Sequence, residues 1–463
     1  MDVSANTIVA LATPAGRSGI GIIRLSGDGA LDVAAKLTGR DCDAFSPRKA
    51  ALAELRDPTD NAAIDKALIT YFQAPHSFTG EDVIEISCHG SPVLLRQVID
   101  LCLALGCRAA EPGEFTLRAL AHGRLDLAEA EAIRDLIDAQ TNAAARQAVR
   151  QLSGEMSRNL RPLKDELLNI VVVLESALEF VEDDLPEQQS EEIVSSLEAI
   201  KRRTLEFADT YKAGHLIRDG LSATIVGRPN VGKSSLFNRL LGTERAIVTD
   251  LAGTTRDQLN ERFTIGDIPT HLVDTAGLRE TEDVVEKIGV ERARGAMADA
   301  DLVIVVLDAH DSLTEEDRDI VRSALKQNFI IALNKIDKTT SRDIDRLAAA
   351  GDAALAPFRE KMVAISAKTG EGLDDLRDAI VKPFRTNDVS HSGFLVTDAR
   401  HYDLLMRTHD EIAQSIEGLR EGRSEEIVLI GLHNALRYLG EITGETTTED
   451  MLTRIFSTFC IGK

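Results

Sequence analysis

The stretch that decides the fold is Gly227-Arg-Pro-Asn-Val-Gly232-Lys233-Ser234, which follows the apolar run 221–226 and precedes the helix-forming run 235–241. It has the form G-x-x-x-x-G-K-[ST], with a β-branched strand in front and a helix behind, the context in which that form carries chemistry. The glycines let the backbone fold tightly enough for consecutive N–H groups to point at phosphate oxygens, and the helix N-terminus adds its partial positive charge. Lys233 would neutralise β/γ-phosphate charge, and the Ser234 hydroxyl would ligate Mg²⁺. Outward from this loop, residues 219–382 alternate buried strand candidates (302–307, 330–333, 362–365) with helices. That rhythm predicts a parallel, doubly wound sheet.

Further short words fall at strand ends in the same region. Asp274-Thr275-Ala276-Gly277 follows the run 271–273, where an Asp can hold Mg²⁺ through water and a Gly N–H can sense the γ-phosphate. Asn334-Lys335-Ile-Asp337 closes the run 330–333. A carboxylate at that place accepts from guanine N1–H and N2–H₂, whereas adenine has neither donor and would leave the carboxylate unpaired at a cost. Ser366-Ala367-Lys368 ends the last strand and would supply a backbone N–H to guanine O6. Gly253-Thr254-Thr255 lies between the first loop and Asp274, where a Thr hydroxyl can reach Mg²⁺. Taken singly, these words read as turns; in this order, each at a strand end, they read as a GTP site. The hydrolytic part is less routine. Leu278 stands where Ras-like proteins place a water-orienting Gln, and Arg228 is a weak candidate for an arginine finger in cis. Glu280, Glu282, Asp283 and Glu286 are candidate acids downstream, each of which alone reads as a solvated loop charge.

The rest of the chain frames this region. At 463 residues, 43% hydrophobic and 28% charged, the chain is long enough for two to four domains with ample core. A net charge of −23 argues against broad, nonspecific polyanion binding, so nucleic-acid contact must use a local basic patch, with Arg146, Arg150, Arg158 and Arg161 as candidates. The five cysteines form no C-x-x-C, and the N-terminus has no basic, signal-like region. Reduced thiols in a cytoplasmic protein are therefore expected. No uninterrupted apolar stretch is long enough for a membrane span, and the run 167–178 carries Asn169 and Glu175, as a buried helix would. Residues 1–120 read as a small α+β domain, with strands at 7–12, 19–25, 67–72 and 83–87 and a helix capped by Ser91 that starts at Pro92. Residues 121–218 are rich in Ala, Leu, Glu, Gln and Arg at helical spacing, divided into long helices at Pro162 and at the acidic turn 182–186. Residues 397–459 are helical again. The simplest architecture is a nucleotide-binding domain (219–382) inserted into a discontinuous helical domain (121–218 and 383–463), preceded by the α+β domain (1–120).

With these parts named, the whole chain resembles the tRNA-modification GTPase family called MnmE or TrmE, within the TrmE-Era-EngA-like GTPases. The words that carry the likeness are Thr79-Gly-Glu-Asp82, Gly113-Glu-Phe-Thr116, the run Arg124-Leu-Asp-Leu-Ala-Glu-Ala-Glu-Ala132, Asn230-Val-Gly-Lys-Ser234, Asp274-Thr-Ala-Gly-Leu-Arg279 and the terminal Cys460-Ile-Gly-Lys463. The resemblance implies an N-terminal folate-binding and dimerising domain, a helical domain and an inserted Ras-like P-loop GTPase domain. It implies GTP contacts from Asn230, Val231, Gly232, Lys233, Ser234, Ser235, Thr249, Asp250, Leu251, Ala252, Gly253, Thr254 and Thr255, and from the three words at Asp274, Asn334 and Ser366. Mg²⁺ would be held by Ser234 and Thr255, and K⁺ by Asn230 with Thr249, Leu251 and Thr254. A cation there offsets developing charge as a guanidinium would, and in this family two G domains meet across a homodimer. Glu286 matches the glutamate that positions water.

The family's one-carbon source is 5-formyl- or 5,10-methylene-tetrahydrofolate, with contacts mapping to Arg24, Glu81, Arg124 and Lys463. From residue type alone, Arg24 reads as a strand-edge charge, Glu81 as a turn residue and Cys460 as a small buried residue in a terminal helix. The resemblance moves Cys460 to the folate site, where nucleophilic addition to uracil C6 is a hypothesis. The implied function is modification of the tRNA wobble uridine (position 34) at C5 to an aminomethyl or carboxymethylaminomethyl group. It would be carried out with a FAD-containing MnmG (GidA)-type partner in a heterotetramer, FAD sitting on the partner. Rival readings are a GTP-dependent ribosome or RNA assembly switch, and a folate enzyme that its G domain only regulates.

Overall fold

The computed structural model describes residues 6–179, 187–242, 260–265, 268–274, 300–325, 327–339, 356–382, 393–446 and 448–462. The chain divides into two compact units. One comprises Met1–Asp138, Ala148–Leu205 and Asp403–Lys463, and the other Ala139–Gln147 and Glu206–Tyr402.

The first unit holds an α+β part and a helical part. Its sheet runs β3 (Ala50–Arg56), β4 (Ala63–Phe72), β5 (Val83–Gly90), β2 (Ser18–Ser26), β1 (Ile8–Leu11), β6 (Arg108–Ala109). Every pairing is antiparallel except β1 with β6. Alternate residues Ile23, Leu25, Leu55, Ile69, Ile84 and Ile86 share a core with Val33, Ala34 and Leu37 of helix Ala30–Thr38 and with Leu95, Val98 and Cys102 of helix Pro92–Ala104. Two facing residues on the opposite side of that sheet, Leu52 and Leu68, are exposed. Pro92 opens its helix as expected, but Ser91, at the N-cap with extended backbone, makes no side-chain capping bond.

Pro162 does not divide the helical region. Helix Glu155–Glu179 runs straight through it, and the break lies about two turns earlier, at Gly154, at φ +76. A helical proline forfeits one backbone bond. Here Leu160, Leu163, Leu167, Val171 and Leu174 hold the helix by burying one stripe, while Leu168 and Val172 stay exposed. The run 167–178 is thus an amphipathic surface helix rather than a buried one, and among the described residues no helix is long and apolar enough to cross a membrane.

The second unit carries a sheet ordered β12 (Met362–Ala364), β11 (Phe329–Asn334), β10 (Leu302–Asp308), β7 (Leu221–Val226), β9 (Ile268–Asp274), β8 (Asn260–Ile265). It is parallel from β12 to β9 and closes with an antiparallel edge strand, β8, so the all-parallel expectation holds for the centre only. This is the Ras-like order. β10 reads as an unbroken apolar run because both its faces are covered. Ile304 and Val306 pack with helices Lys233–Gly242 and Leu373–Val381, and Val303, Val305 and Leu307 pack on the side of helix Glu315–Ala324.

Candidate functional site

β7 is interior to the sheet and ends at Val226, so the loop after it emerges at the carboxyl edge, where open α/β sheets bind ligands. Gly227 sits at φ +155, and a Cβ there would lie 2.4 Å from the Val306 carbonyl; Gly232 sits at φ +100, and a Cβ would lie 2.3 Å from Asn334 Nδ2. Only glycine lets the loop press this closely on its neighbours. Helix Lys233–Gly242 starts at once, with Ser234 and Ser235 exposed in its first turn. Lys233 Nζ donates to the carbonyls of Gly227 (2.7 Å) and Arg228 (2.9 Å).

The words read from sequence as a base reader are bonded to this loop. Asn334, 2% exposed, donates from Nδ2 to the Val231 carbonyl at 2.8 Å and accepts the Ala367 N–H at 2.9 Å. Lys335, at φ +72, donates to the Asn230 carbonyl (2.7 Å) and to Asp308 Oδ2 (2.6 Å). Burial pushes the Asp308 carboxyl up, but Lys335, the His310 N–H and Arg228 hold it below the usual carboxylate range. Ser366 Oγ, fully buried, donates to Asp337 Oδ1 at 2.8 Å, fixing a carboxylate whose residue is otherwise exposed. Lys368 is exposed beside them. Loop 227–232, Asn334, Asp337 and Ala367 are therefore one bonded assembly that presents backbone N–H groups, an ammonium and an oriented carboxylate. Asn230 is exposed at φ +66, and its carbonyl is engaged by Lys335. Asp274 ends β9. Thr249, Asp250, Leu251, Ala252, Gly253, Thr254, Thr255, Thr275, Ala276, Gly277, Leu278, Glu280, Glu282, Asp283 and Glu286 lie outside the described residues.

A second cluster lies in the α+β part. Glu81 accepts from Arg118 Nη1 through both oxygens (3.1 and 2.9 Å) and from Ser26 Oγ at 2.7 Å. Arg118, 1% exposed, also donates to Glu114 Oε1 at 3.0 Å and to the Asn6 carbonyl at 3.0 Å. Arg108 completes the chain of charges by pairing with Glu114. Burial would raise the Glu114 carboxyl; Arg108, the Glu111 N–H and Arg118 hold it below its ordinary range. Residue-type reading missed Arg118, although its i,i+4 spacing from Glu114 was a usable signal. Arg24 is no bare strand-edge charge either: Nε and Nη2 donate to Glu85 Oε1 (3.0 and 2.8 Å), and Nη1 donates to the Gly462 carbonyl at 3.2 Å. Arg124 is exposed, and Lys463 lies outside the described residues.

Cys460 is not a buried helix residue. The last helix ends at Phe456, and Cys460 is exposed in the turn beyond it. Phe456 and Phe459 take the buried places instead, packed with Leu127 and Ala130. The Gly113 N–H donates to the Cys460 carbonyl at 3.3 Å, and Gly462 lies so close to β1 that a Cβ would stand 2.3 Å from the Leu11 carbonyl. The terminal turn is thus seated beside Arg24 through backbone contacts that residue composition does not reveal.

The family described as "GTP-binding protein TrmE N-terminus" matches residues 7–124, and the one described as "MnmE helical domain" matches residues 127–460. Relatives described as "tRNA modification GTPase MnmE" align along essentially the whole length. The relative from Koribacter versatilis is 44% identical, covering 99% of this chain and 99% of its own. The one from Aquifex aeolicus is 44% identical, covering 98% and 99%, and one from Neisseria meningitidis serogroup B is 43% identical, covering 99% of each. Similarity of that degree, unbroken from end to end, means that the chain belongs to the MnmE family of tRNA modification GTPases.

Proposed function

We propose that this protein hydrolyses GTP in the course of modifying the wobble uridine of tRNA at C5, using a tetrahydrofolate one-carbon unit and a FAD-containing partner. The observation that carries the GTP part is the bonded assembly of loop 227–232 with Asn334, Asp337 and Ala367. In it Lys233 is placed to meet phosphate charge and Asp337 to accept two guanine N–H donors. Ser234, exposed in the first helical turn, suits Mg²⁺ with Thr255; Asn230 would give K⁺ its side chain, since its carbonyl already serves Lys335, with Thr249, Leu251 and Thr254 completing the shell. Bound K⁺ would offset charge as the terminal phosphate departs. Glu286 would position water.

The folate reading is supported by the remaining capacity of the Glu81 carboxylate. Oε2 takes two bonds and Oε1 one, so Oε1 keeps an acceptor direction for a 2-amino-pyrimidinone edge. Arg24 supports it by holding the terminal turn, which brings Cys460 to the same part of the fold. The assembly-switch reading gives way because the TrmE N-terminal family matches residues 7–124, ahead of the G domain, and the MnmE helical family matches residues 127–460. The direct test is the GTPase rate in K⁺ against Na⁺ over a range of protein concentrations. Faster hydrolysis in K⁺, rising per protomer with concentration, is expected; equal, concentration-independent rates would sink cation-dependent dimerisation. Wobble-uridine nucleoside analysis in a deletion strain tests the modification itself.

A further inference from the structure

Arg228 occupies the second position of the loop, where the phosphate-cradle pattern accepts any residue. Its guanidinium is committed to the segment that follows β10: Nη2 donates to Asp311 Oδ2 at 2.8 Å, and Nε lies 3.3 Å from Asp317 Oδ2. Asp317 is 2% exposed and is itself fixed, because Oδ2 accepts from the Thr314 N–H and Oγ as half of the capping box that starts helix Glu315–Ala324. Through its backbone Arg228 also accepts from Lys233 Nζ. Two residues on, Lys335 grips the Asn230 carbonyl and is paired with Asp308, the last residue of β10, just before that segment. Residues 308–317 therefore hold the loop at two points, and one of these is a side chain that the nucleotide-site motifs do not specify.

We propose that Arg228 is a positioning residue for nucleotide binding. Anchored by Asp317 and Asp311, it keeps the loop backbone, and with it Lys233, in the phosphate-binding shape. The role rests on the reading of this loop as a GTP site. A guanidinium facing two carboxylates has its charge already offset, so Arg228 is not the finger weighed from sequence. The Arg228–Asp317 contact is held by charge rather than by an aligned hydrogen bond, since Arg228 Nε and Asp317 Oδ1 are both buried without a hydrogen-bond partner. A lysine should therefore serve in part, and a neutral glutamine of similar shape should not.

The test is a titration of the full-length chain with a fluorescent GDP analogue, alongside single-turnover GTP hydrolysis and thermal unfolding. Arg228→Gln and Asp317→Asn should each weaken GDP binding about ten-fold and Arg228→Lys by about three-fold, the scale of a slightly misplaced binding group. The Arg228→Gln/Asp317→Asn double variant should bind no more weakly than the worse single, because the two act as one unit. Unchanged GDP affinity with hydrolysis reduced about a thousand-fold would make Arg228 a finger and overturn the proposal. A fall in unfolding temperature with GDP affinity intact would overturn it too. Should Arg228→Gln fail to fold, Asp311→Ala carries the test, its carboxylate being half exposed (52%); undiminished GDP affinity there counts against the anchor. Absence of GDP binding by the unaltered chain would instead refute the GTP-site reading.

Discussion

At the scale of single residues, the clearest lesson is how much charge is buried in pairs. Arg118 is 1% exposed and serves Glu81 and Glu114 together. Removing one partner of such a group leaves carboxylates stranded out of water, which costs about 3–5 kcal/mol. Arg118→Met is expected to lose that much in urea unfolding. Asp398 offers a pH-dependent case. Burial pushes its carboxyl up, but the His401 ring, the Arg218 guanidinium 2.6 Å away and the Arg400 N–H hold it well below the usual carboxylate range. A depressed folded-state value stabilises the fold above the ordinary carboxylate range and loses that effect as pH falls towards the folded value. Asp398→Asn should therefore cost about 1–3 kcal/mol at pH 7, with the gap to the unaltered chain closing as pH drops from about 5 to 2. The GTP motifs were legible in sequence because each is a fixed word whose chemistry needs those residue types. The Arg118–Glu81 pairing and the Arg228–Asp311 anchor were not, because these partners lie 37 and 83 positions apart along the chain.

At the scale of elements, strands covered on both faces announced themselves, as β10 and β11 do with every residue buried. β3 and β8 passed unnoticed. β3, Ala-Ala-Leu-Ala-Glu-Leu-Arg, is rich in alanine, carries two charges near its end and exposes Leu52, while β8, Asn-Glu-Arg-Phe-Thr-Ile, is a polar edge strand paired on one side. Edges tolerate such sequences because half their backbone groups face away from the ladder. Pro162 is the opposite error: a reliable local breaker overridden by the packed stripe from Leu160 to Leu174. Since the proline is exposed and gives up a backbone bond, Pro162→Ala should stabilise the chain by about 1–3 kcal/mol, read as a higher urea midpoint at unchanged slope. The terminal turn makes the reverse prediction. Gly462 lies at φ +95 against the Leu11 carbonyl, so Gly462→Ala should dislodge the turn, lowering tRNA modification while leaving GTP hydrolysis intact in a reconstituted assay.

At the scale of the molecule, the −23 net charge sets what the chain can do with tRNA by itself. Within the basic cluster read from sequence, Arg150 is already paired with Glu155 at 2.8 Å, which removes one of its few cations. Weak binding of tRNA by this chain alone, with a shallow salt dependence between about 50 and 200 mM KCl, is expected in fluorescence anisotropy. A steep slope would show a basic surface that the charge balance argues against.

The placement of the five thiols has a practical consequence. Cys88, Cys102 and Cys107 are enclosed, and burial raises all three thiols, to about 12 for Cys88 and about 11 for Cys107; Cys42 is half-covered and raised by burial and by Asp32. Only Cys460 stands open. Because thiolates are the species that alkylate, limiting maleimide at neutral pH should label Cys460 first, as peptide mass spectrometry would read. The chain thereby carries its own attachment point for a fluorophore or spin label, and movements of the terminal turn during GTP turnover could be followed without introducing or deleting a cysteine.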